Sequence, residues 1–295
     1  MVSGLALVDK PTGVSSHGVV GAARRALGTK KVGHAGTLDP AASGLLVLGV
    51  GQGTRLLTFC VGMDKTYQAT MRLGYATTTD DAEGERIDVA GGSLEACTAE
   101  AIDLAIATFV GDILQVPSSF SAIKVDGVRA YDRARAGEAV ELKARPVTVY
   151  RLERGQIERG ESYIDVELII ECSSGTYIRA LARDIGQGLG VGGHLVRLRR
   201  SVVGPFTLRD AVSPEELEPR HVMSMEDAAS AIMPTIRVSG PAREDLRHGR
   251  SVSDSSWPEG GPFAAIDDET GLLVAVVGVS QGRSRILMGV AAGTD

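Results

Sequence analysis

The stretch best equipped for chemistry is Gly33-His34-Ala35-Gly36-Thr37-Leu38-Asp39-Pro40. It sets one imidazole and one carboxylate in a glycine-rich insert just before the apolar run Leu45 to Val50. Glycine lets a backbone approach a ligand closely, and loops held by a buried strand are where sites tend to sit. A lone Asp-Pro pair is an ordinary turn or helix-start signal. Here His34, five residues before Asp39, weighs against that plain reading. The loop has no second carboxylate, so neither the paired acids of a glycosidase nor a carboxylate metal cluster is indicated. Cys60, Cys97 and Cys172 are far apart and His17, His34, His194, His221 and His248 do not cluster, so no metal pattern is present.

The second chemical resource is cationic charge, and it is unevenly spread. Residues 1–36 hold Lys10, Arg24, Arg25, Lys30 and Lys31 against Asp9 alone. Residues 176–209 hold Arg179, Arg183, Arg197, Arg199, Arg200 and Arg209 against Asp184. A third basic stretch runs from Ser121 to Arg151, with Lys124, Arg129, Arg133, Arg135, Lys143, Arg145 and Arg151 outnumbering its acids. Between Thr77 and Asp112, nine acidic residues surround the single base Arg86. The net charge of −6 over 295 residues therefore averages opposed regions. Phosphate binding depends on the local field and not on the total, so a basic face on an acidic molecule remains open.

The elements that would position these groups follow from local patterning. Gly4 to Val8 reads as a buried strand, and Ser15 or Ser16 caps a helix running to about Leu27. Leu45 to Val50 is a strand covered on both faces. Thr66 to Leu73 alternates, with Tyr67, Ala69, Met71 and Leu73 on one face, and Tyr163 to Glu171 does the same. Leu94 to Val110 and Tyr177 to Leu189 read as helices. Strands and helices mix without βαβ regularity, so the fold class expected is α+β with a mixed sheet. A break near Pro234 divides a domain of residues 1–234 from a small β-rich one of 235–295. No apolar run is long enough to cross a bilayer, no signal-peptide pattern opens the chain, and the sparse odd cysteines describe reduced thiols; a cytoplasmic protein is expected.

Five collinear segments resemble one known family. GLALVDKPTGVSSHGVV and KVGHAGTLDPAASGLLVLGVGQGTR look like the two N-terminal motifs of the bacterial tRNA pseudouridine-55 synthases, the TruB family. DKTYQATMRLGYATTTDDAEGE resembles its tyrosine-bearing strand and acidic loop, and CSSGTYIRALARDIGQGLGVGGHLVRLRR its arginine helix with the leucine that follows. QVPSSFSAIKVDGVRAYDRARAGEAVELKARPVTVY is similar to its RNA-clamping insertion, about residues 121–151. The likeness spans about Leu5 to Phe206, whereas the last sixty residues are only loosely similar to the family's PUA domain and are acidic for an RNA contact.

The resemblance implies isomerisation of a T-loop uridine (U55) of tRNA to pseudouridine by base flipping, with no cofactor and no metal. It makes Asp39 the nucleophile, attacking either the base or the sugar, and Arg179 the counter-ion that orients it and keeps it ionised. Tyr67, by itself a plain core tyrosine, would stack on the flipped uracil and handle the C5 proton. Tyr177 and Leu198 would wall the pocket and His34 would fill the gap left in the T-loop stack. Lys10 and Pro11 look like scaffold for the nucleophile loop. The partner implied is the tRNA T stem-loop, with no guide RNA and no membrane, and the chain acting as a monomer. The alternative is an RNA-binding or tRNA-folding protein whose isomerase activity is secondary or lost.

Overall fold

The computed structural model describes residues 2–119 and 142–290, together with the backbone of Lys124–Val125 and Val128–Arg129. Most of the expected insertion, including Arg133 and Arg135, lies outside the described residues. The chain forms two compact units. One comprises Met1–Pro40, Gly44–Val61 and Val203–Asp295; the other comprises Ala41–Ser43 and Gly62–Val202.

In the first unit, β1 (Gly4–Lys10), β2 (Val32–Ala35) and β3 (Ser43–Val50) are antiparallel, with Leu48 of β3 opposite both Ala6 of β1 and His34 of β2. Every residue from Gly44 to Val50 is buried, as the unbroken apolar run requires of a strand covered on both faces. Helix α1 (Ser16–Ala26) starts where Ser15 accepts the Gly18 N–H at 3.0 Å, and it buries Val19, Val20 and Ala23 against Ala6, Val8, Leu46 and Leu48. The interval three to four between those helical positions places them on one face. A short helix, α2 (Leu57–Val61), follows β3.

In the second unit the sheet order is β12 (Gly193–Val203), β4 (Lys65–Leu73), β11 (Ile164–Cys172), β10 (Arg145–Arg159), β7 (Gly111–Gln115). β4 (Lys65–Leu73) realises the expected alternation, burying Tyr67, Ala69, Met71 and Leu73. It is followed by the two-residue strands β5 (Ala76–Thr77) and β6 (Arg86–Ile87). Helix α3 covers only Ala99–Ala107, shorter than the expected Leu94 to Val110. Thr98 caps it by accepting the Ala101 N–H at 3.2 Å, and the residues before it close turns of their own, Cys97 N–H on Leu94 O at 3.2 Å. β7 (Gly111–Gln115) pairs with the first part of β10 (Arg145–Arg159); β8 (Lys124–Val125) and β9 (Val128–Arg129) form a separate ladder. β10 begins inside the stretch expected as the insertion and escapes a period-two reading. Its register against β11 (Ile164–Cys172) shifts twice, between Val149 and Arg151 and between Arg154 and Ile157.

Helix α4 (Ile178–Gly188) buries Ile178, Leu181, Ala182 and Ile185 and leads through a glycine-rich turn into β12 (Gly193–Val203). Burial of each large aliphatic here is worth roughly 1.5–3 kcal/mol. Back in the first unit, β13 (Phe206–Thr207) and β14 (Val222–Met223) are minimal strands, the latter pairing with β1, and helix α5 (Met225–Ile232) follows. β15 (Thr235–Val238) then runs parallel to β16 (Gly260–Asp267), which β17 (Leu273–Ser280) and β18 (Arg283–Gly289) continue antiparallel. With α6 (Gly240–Arg247) they enclose a core around Trp257, Phe263, Val274 and Val277. The mixed α+β class is as expected. No helix among the described residues is long and apolar enough to cross a membrane.

The seat of α4 is set by close backbone approach. A Cβ on Gly186 would lie 2.3 Å from the Gly193 nitrogen, and one on Gly193 would lie 2.6 Å from the Ala182 carbonyl oxygen. Gly186→Ala is expected to lower stability by about 1–3 kcal/mol through overpacking. A fall in the urea midpoint with an unchanged slope is the measurement; an unchanged midpoint would contradict the close seat.

Candidate active site

β1 ends on Lys10, whose side chain is wholly buried. A buried ammonium is tolerated only when hydrogen-bonded. Lys10 Nζ donates to the carbonyls of Pro11 at 3.0 Å, Val14 at 2.6 Å and Pro40 at 3.3 Å. The first two bonds close the turn after β1; the third reaches the residue that follows Asp39. The Gly13 N–H donates to the same Pro40 carbonyl at 2.8 Å, from a backbone at φ +86° that glycine adopts without strain. On the other side of Asp39, the buried Ser16 hydroxyl accepts the Leu38 N–H and donates to the Leu38 carbonyl, both at 2.9 Å. Leu38 itself is buried. Both chain neighbours of Asp39 are thus anchored, while Asp39 stays half-buried. This is the scaffold role expected of Lys10. His34 also lies in the first unit, half-buried on β2.

The second unit carries the other expected residues. Tyr67 is on the buried face of β4, opposite Ile170 of β11, and is 8% exposed. Leu198 lies half-buried on β12 between Arg197 and Arg199. Tyr177 is the N-cap residue of α4, and Arg179 sits in its first turn. Arg179 is 6% exposed and donates through Nη1 to the Thr79 carbonyl at 3.0 Å and to Asp81 Oδ2 at 3.1 Å. Removing one partner of a buried ion pair strands the other charge, at a cost of about 3–5 kcal/mol. One turn later Arg183 donates to Asp80 Oδ2 at 3.1 Å, Asp184 Oδ1 at 2.7 Å and the Val116 carbonyl at 2.8 Å. Burial pushes the Asp80 carboxyl up, with Arg183 opposing.

These carboxylates escaped the sequence reading, which saw an acidic stretch without partners. Asp80 and Asp81 are adjacent whereas Arg179 and Arg183 are one helical turn apart, so nothing in their sequence spacing signals the pairing. Asp81 is itself oriented by the Thr79 hydroxyl at 2.5 Å and the Glu83 N–H at 3.1 Å. His194 was also overlooked. It is 2% exposed, with Nδ1 3.1 Å from the Tyr75 carbonyl and its ring 4.7 Å from that of Tyr75. Burial lowers its pKa from the ordinary 6.5. Among the described residues no group of three or more His, Cys, Asp or Glu is placed to hold a metal ion.

Residues 24–178 match the family model described as TruB family pseudouridylate synthase, N-terminal domain. Residues 179–238 match that described as tRNA pseudouridylate synthase B C-terminal domain. The chain is 54% identical to the tRNA pseudouridine synthase B of Arthrobacter sp. (strain FB24), over 91% of this chain and 88% of that one. It is 50% identical to the protein of the same name from Corynebacterium diphtheriae, over 93% and 92%. Among solved structures, a chain of an H/ACA RNP bound to a substrate RNA containing 2'-deoxyuridine superposes with a TM-score of 0.70 at 24% identity, over 97% of this chain and 83% of that one. At that identity the likeness shows the fold alone, and the fold is shared nearly end to end.

Two measurements test the site's supports. Ser16→Ala leaves the Leu38 N–H and carbonyl unpaired in a buried place, so stability should fall by about 1–3 kcal/mol. Hydrogen exchange at the Leu38 amide should rise, and unchanged exchange would contradict the anchor. Because burial lowers the His194 pKa in the folded state, its contribution to stability is full above 6.5 and declines as pH falls below that value. Denaturant midpoints of the wild type should drop between pH 7.5 and 5.5 more than those of His194→Gln; parallel curves would contradict the assignment.

Proposed function

The chain belongs to the TruB family of pseudouridylate synthases and forms pseudouridine in tRNA, and on that premise we propose that its target is the T-loop uridine (U55), with Asp39 as the nucleophile. The observation that carries the assignment is the anchoring of both neighbours of Asp39, by Ser16 on Leu38 and by Lys10 and Gly13 on Pro40. A carboxylate presented from so fixed a loop meets the positional demand of covalent catalysis.

The reaction breaks the N1–C1′ bond, turns the uracil and joins C5 to C1′. The C5 proton is lost and N1 gains one, so the product is an isomer and no redox partner is consumed. The Asp39 carboxylate forms a transient bond to the base or to the sugar and is released unchanged. In this proposal Tyr67 stacks on the flipped uracil and handles the C5 proton, while Tyr177 and Leu198 wall the pocket that receives it. Arg179 is the counter-ion that keeps Asp39 ionised. Its burial, and the orientation it takes from Asp81 and the Thr79 carbonyl, support a fixed guanidinium. His34 fills the space vacated in the T-loop stack. The domain boundary near residue 234, with a PUA-like part after it, belongs to the same reading. In this proposal the enzyme acts as a cytoplasmic monomer without a guide RNA; the identity to bacterial tRNA pseudouridine synthases supports tRNA as its substrate.

Purified protein is expected to convert the target uridine in a T stem-loop oligonucleotide with no other protein or RNA present. Asp39→Asn should lower the single-turnover rate by about a thousandfold or more while RNA affinity persists. Pseudouridine mapping is the readout. Equal modification by wild type and variant would remove Asp39 as nucleophile. Tight binding with no modification by the wild type would favour an RNA-folding protein.

A further inference from the structure

Helix α4 begins without the cap its sequence position calls for. Its N-cap residue, Tyr177, has an extended backbone (φ −97°, ψ 105°) and no side-chain capping bond. Ser, Thr, Asp and Asn are favoured there because their short side chains accept an orphan N–H of the first turn. A tyrosine at this position makes no such bond. Its own main-chain groups, which a cap would not touch, are held by Gln115, the last residue of β7, which is 2% exposed. Its Oε1 accepts the Tyr177 N–H at 2.8 Å and its Nε2 donates to the Tyr177 carbonyl at 3.1 Å. The same carbonyl accepts the Leu181 N–H at 3.1 Å, the bond that opens the helix. One side chain, 62 residues away in sequence, thus holds both main-chain polar groups of Tyr177. A primary amide can donate and accept at once in this way; a carboxylate only accepts, and a thioether does neither well.

The residues after Gln115 continue the same attachment. The Val116 carbonyl accepts Arg183 Nη2 at 2.8 Å, in the second turn of α4. The Ser118 hydroxyl, fully buried, donates to the Thr79 carbonyl at 3.3 Å, the acceptor that also takes Arg179 Nη1. Gln115 and Arg183 therefore tie residues 115–116 to the first two turns of α4, and Ser118 meets Arg179 at the shared Thr79 carbonyl.

We propose that Gln115 is a positioning residue for uridine isomerisation, its side-chain amide fixing the main chain of Tyr177 and thereby the wall that Tyr177 presents to the flipped base. This role presupposes that Tyr177 belongs to the base pocket, as proposed above. Gln115 does not touch the substrate; it acts through Tyr177. A purely structural Gln115 would cost stability and slow the enzyme by the same factor whatever stands at position 177.

The test is a double-mutant cycle. Gln115→Met keeps the length and volume and loses both bonds; Gln115→Asn keeps the amide but is one methylene short. Each is made in the wild type and in Tyr177→Ala, and single-turnover rate and RNA affinity are measured with a T stem-loop oligonucleotide. In the wild-type background both should slow the chemical step by about tenfold or more, since small misplacements at a reacting centre are costly. RNA affinity should stay within about twofold, separating a rate effect from a binding one. In the Tyr177→Ala background the further loss should vanish, which marks coupling through Tyr177. If Gln115→Met fails to fold, Gln115→Asn carries the same comparison. Wild-type rates for the Gln115 variants beside a slow Tyr177→Ala overturn this inference alone, as do equal fold-losses in both backgrounds or a loss confined to RNA affinity. A wild-type rate for Tyr177→Ala removes the pocket reading of Tyr177 and the inference with it.

Discussion

A buried ammonium organises the first unit. Lys10 has no solvent to satisfy it, so carbonyls must be brought to it, and the chain supplies those of Pro11, Val14 and Pro40. Two of these bend the backbone into the turn that delivers Ser15 and Ser16 to the start of α1. The third draws in the loop from Gly36 to Pro40. Once α1 is seated, Ser16 completes the restraint by taking both main-chain groups of Leu38. Half-buried Asp39 then stands between two anchored neighbours, Leu38 and Pro40. Desolvation of one lysine therefore determines where the candidate nucleophile stands.

The second unit rests on a complementary arrangement, in which the burial demand comes from guanidinium groups. Arg179 and Arg183 point from α4 toward the segment Thr79–Asp81, where two carboxylates and a carbonyl receive them. Asp80 takes up a backbone at φ +60°, unusual for a residue with a side chain, and its carbonyl accepts the Leu195 N–H of β12 at 3.0 Å. The acidic stretch after β4 is thus partly internal counter-charge. This changes the meaning of the negative net charge. Asp80 and Asp81 neutralise arginines of their own unit, while Arg197 remains exposed on β12 and Arg199 is half-buried.

Elements with an unbroken local pattern were legible in advance. α1, β4, β11 and α4 fall within a residue or two of expectation because each obeys one period along its length, and β3 does so because its apolar run is unbroken. β10 was not legible, since two register shifts break its alternation, and α3 is shorter than its apolar pattern suggested because Thr98 starts it late. Of the candidate site residues, Asp39, His34, Tyr67, Tyr177, Arg179 and Leu198 are legible through the motifs that carry the resemblance. Asp81 and Gln115 are not, because neither has a local feature that distinguishes it from an ordinary surface acid or strand-end amide.

The sequence by itself determined the α+β class, the periodic strands and helices, and, through collinear motifs, the family. These depend on order and spacing along the chain. Tertiary structure alone decided that Pro40 answers to Lys10, that Asp81 receives Arg179 across 98 residues, and that Gln115 holds Tyr177 across 62. Such pairings arise from distances between segments remote in sequence. Burial makes them obligatory, because each polar group removed from water requires a partner, and only the folded backbone determines which partner is within reach.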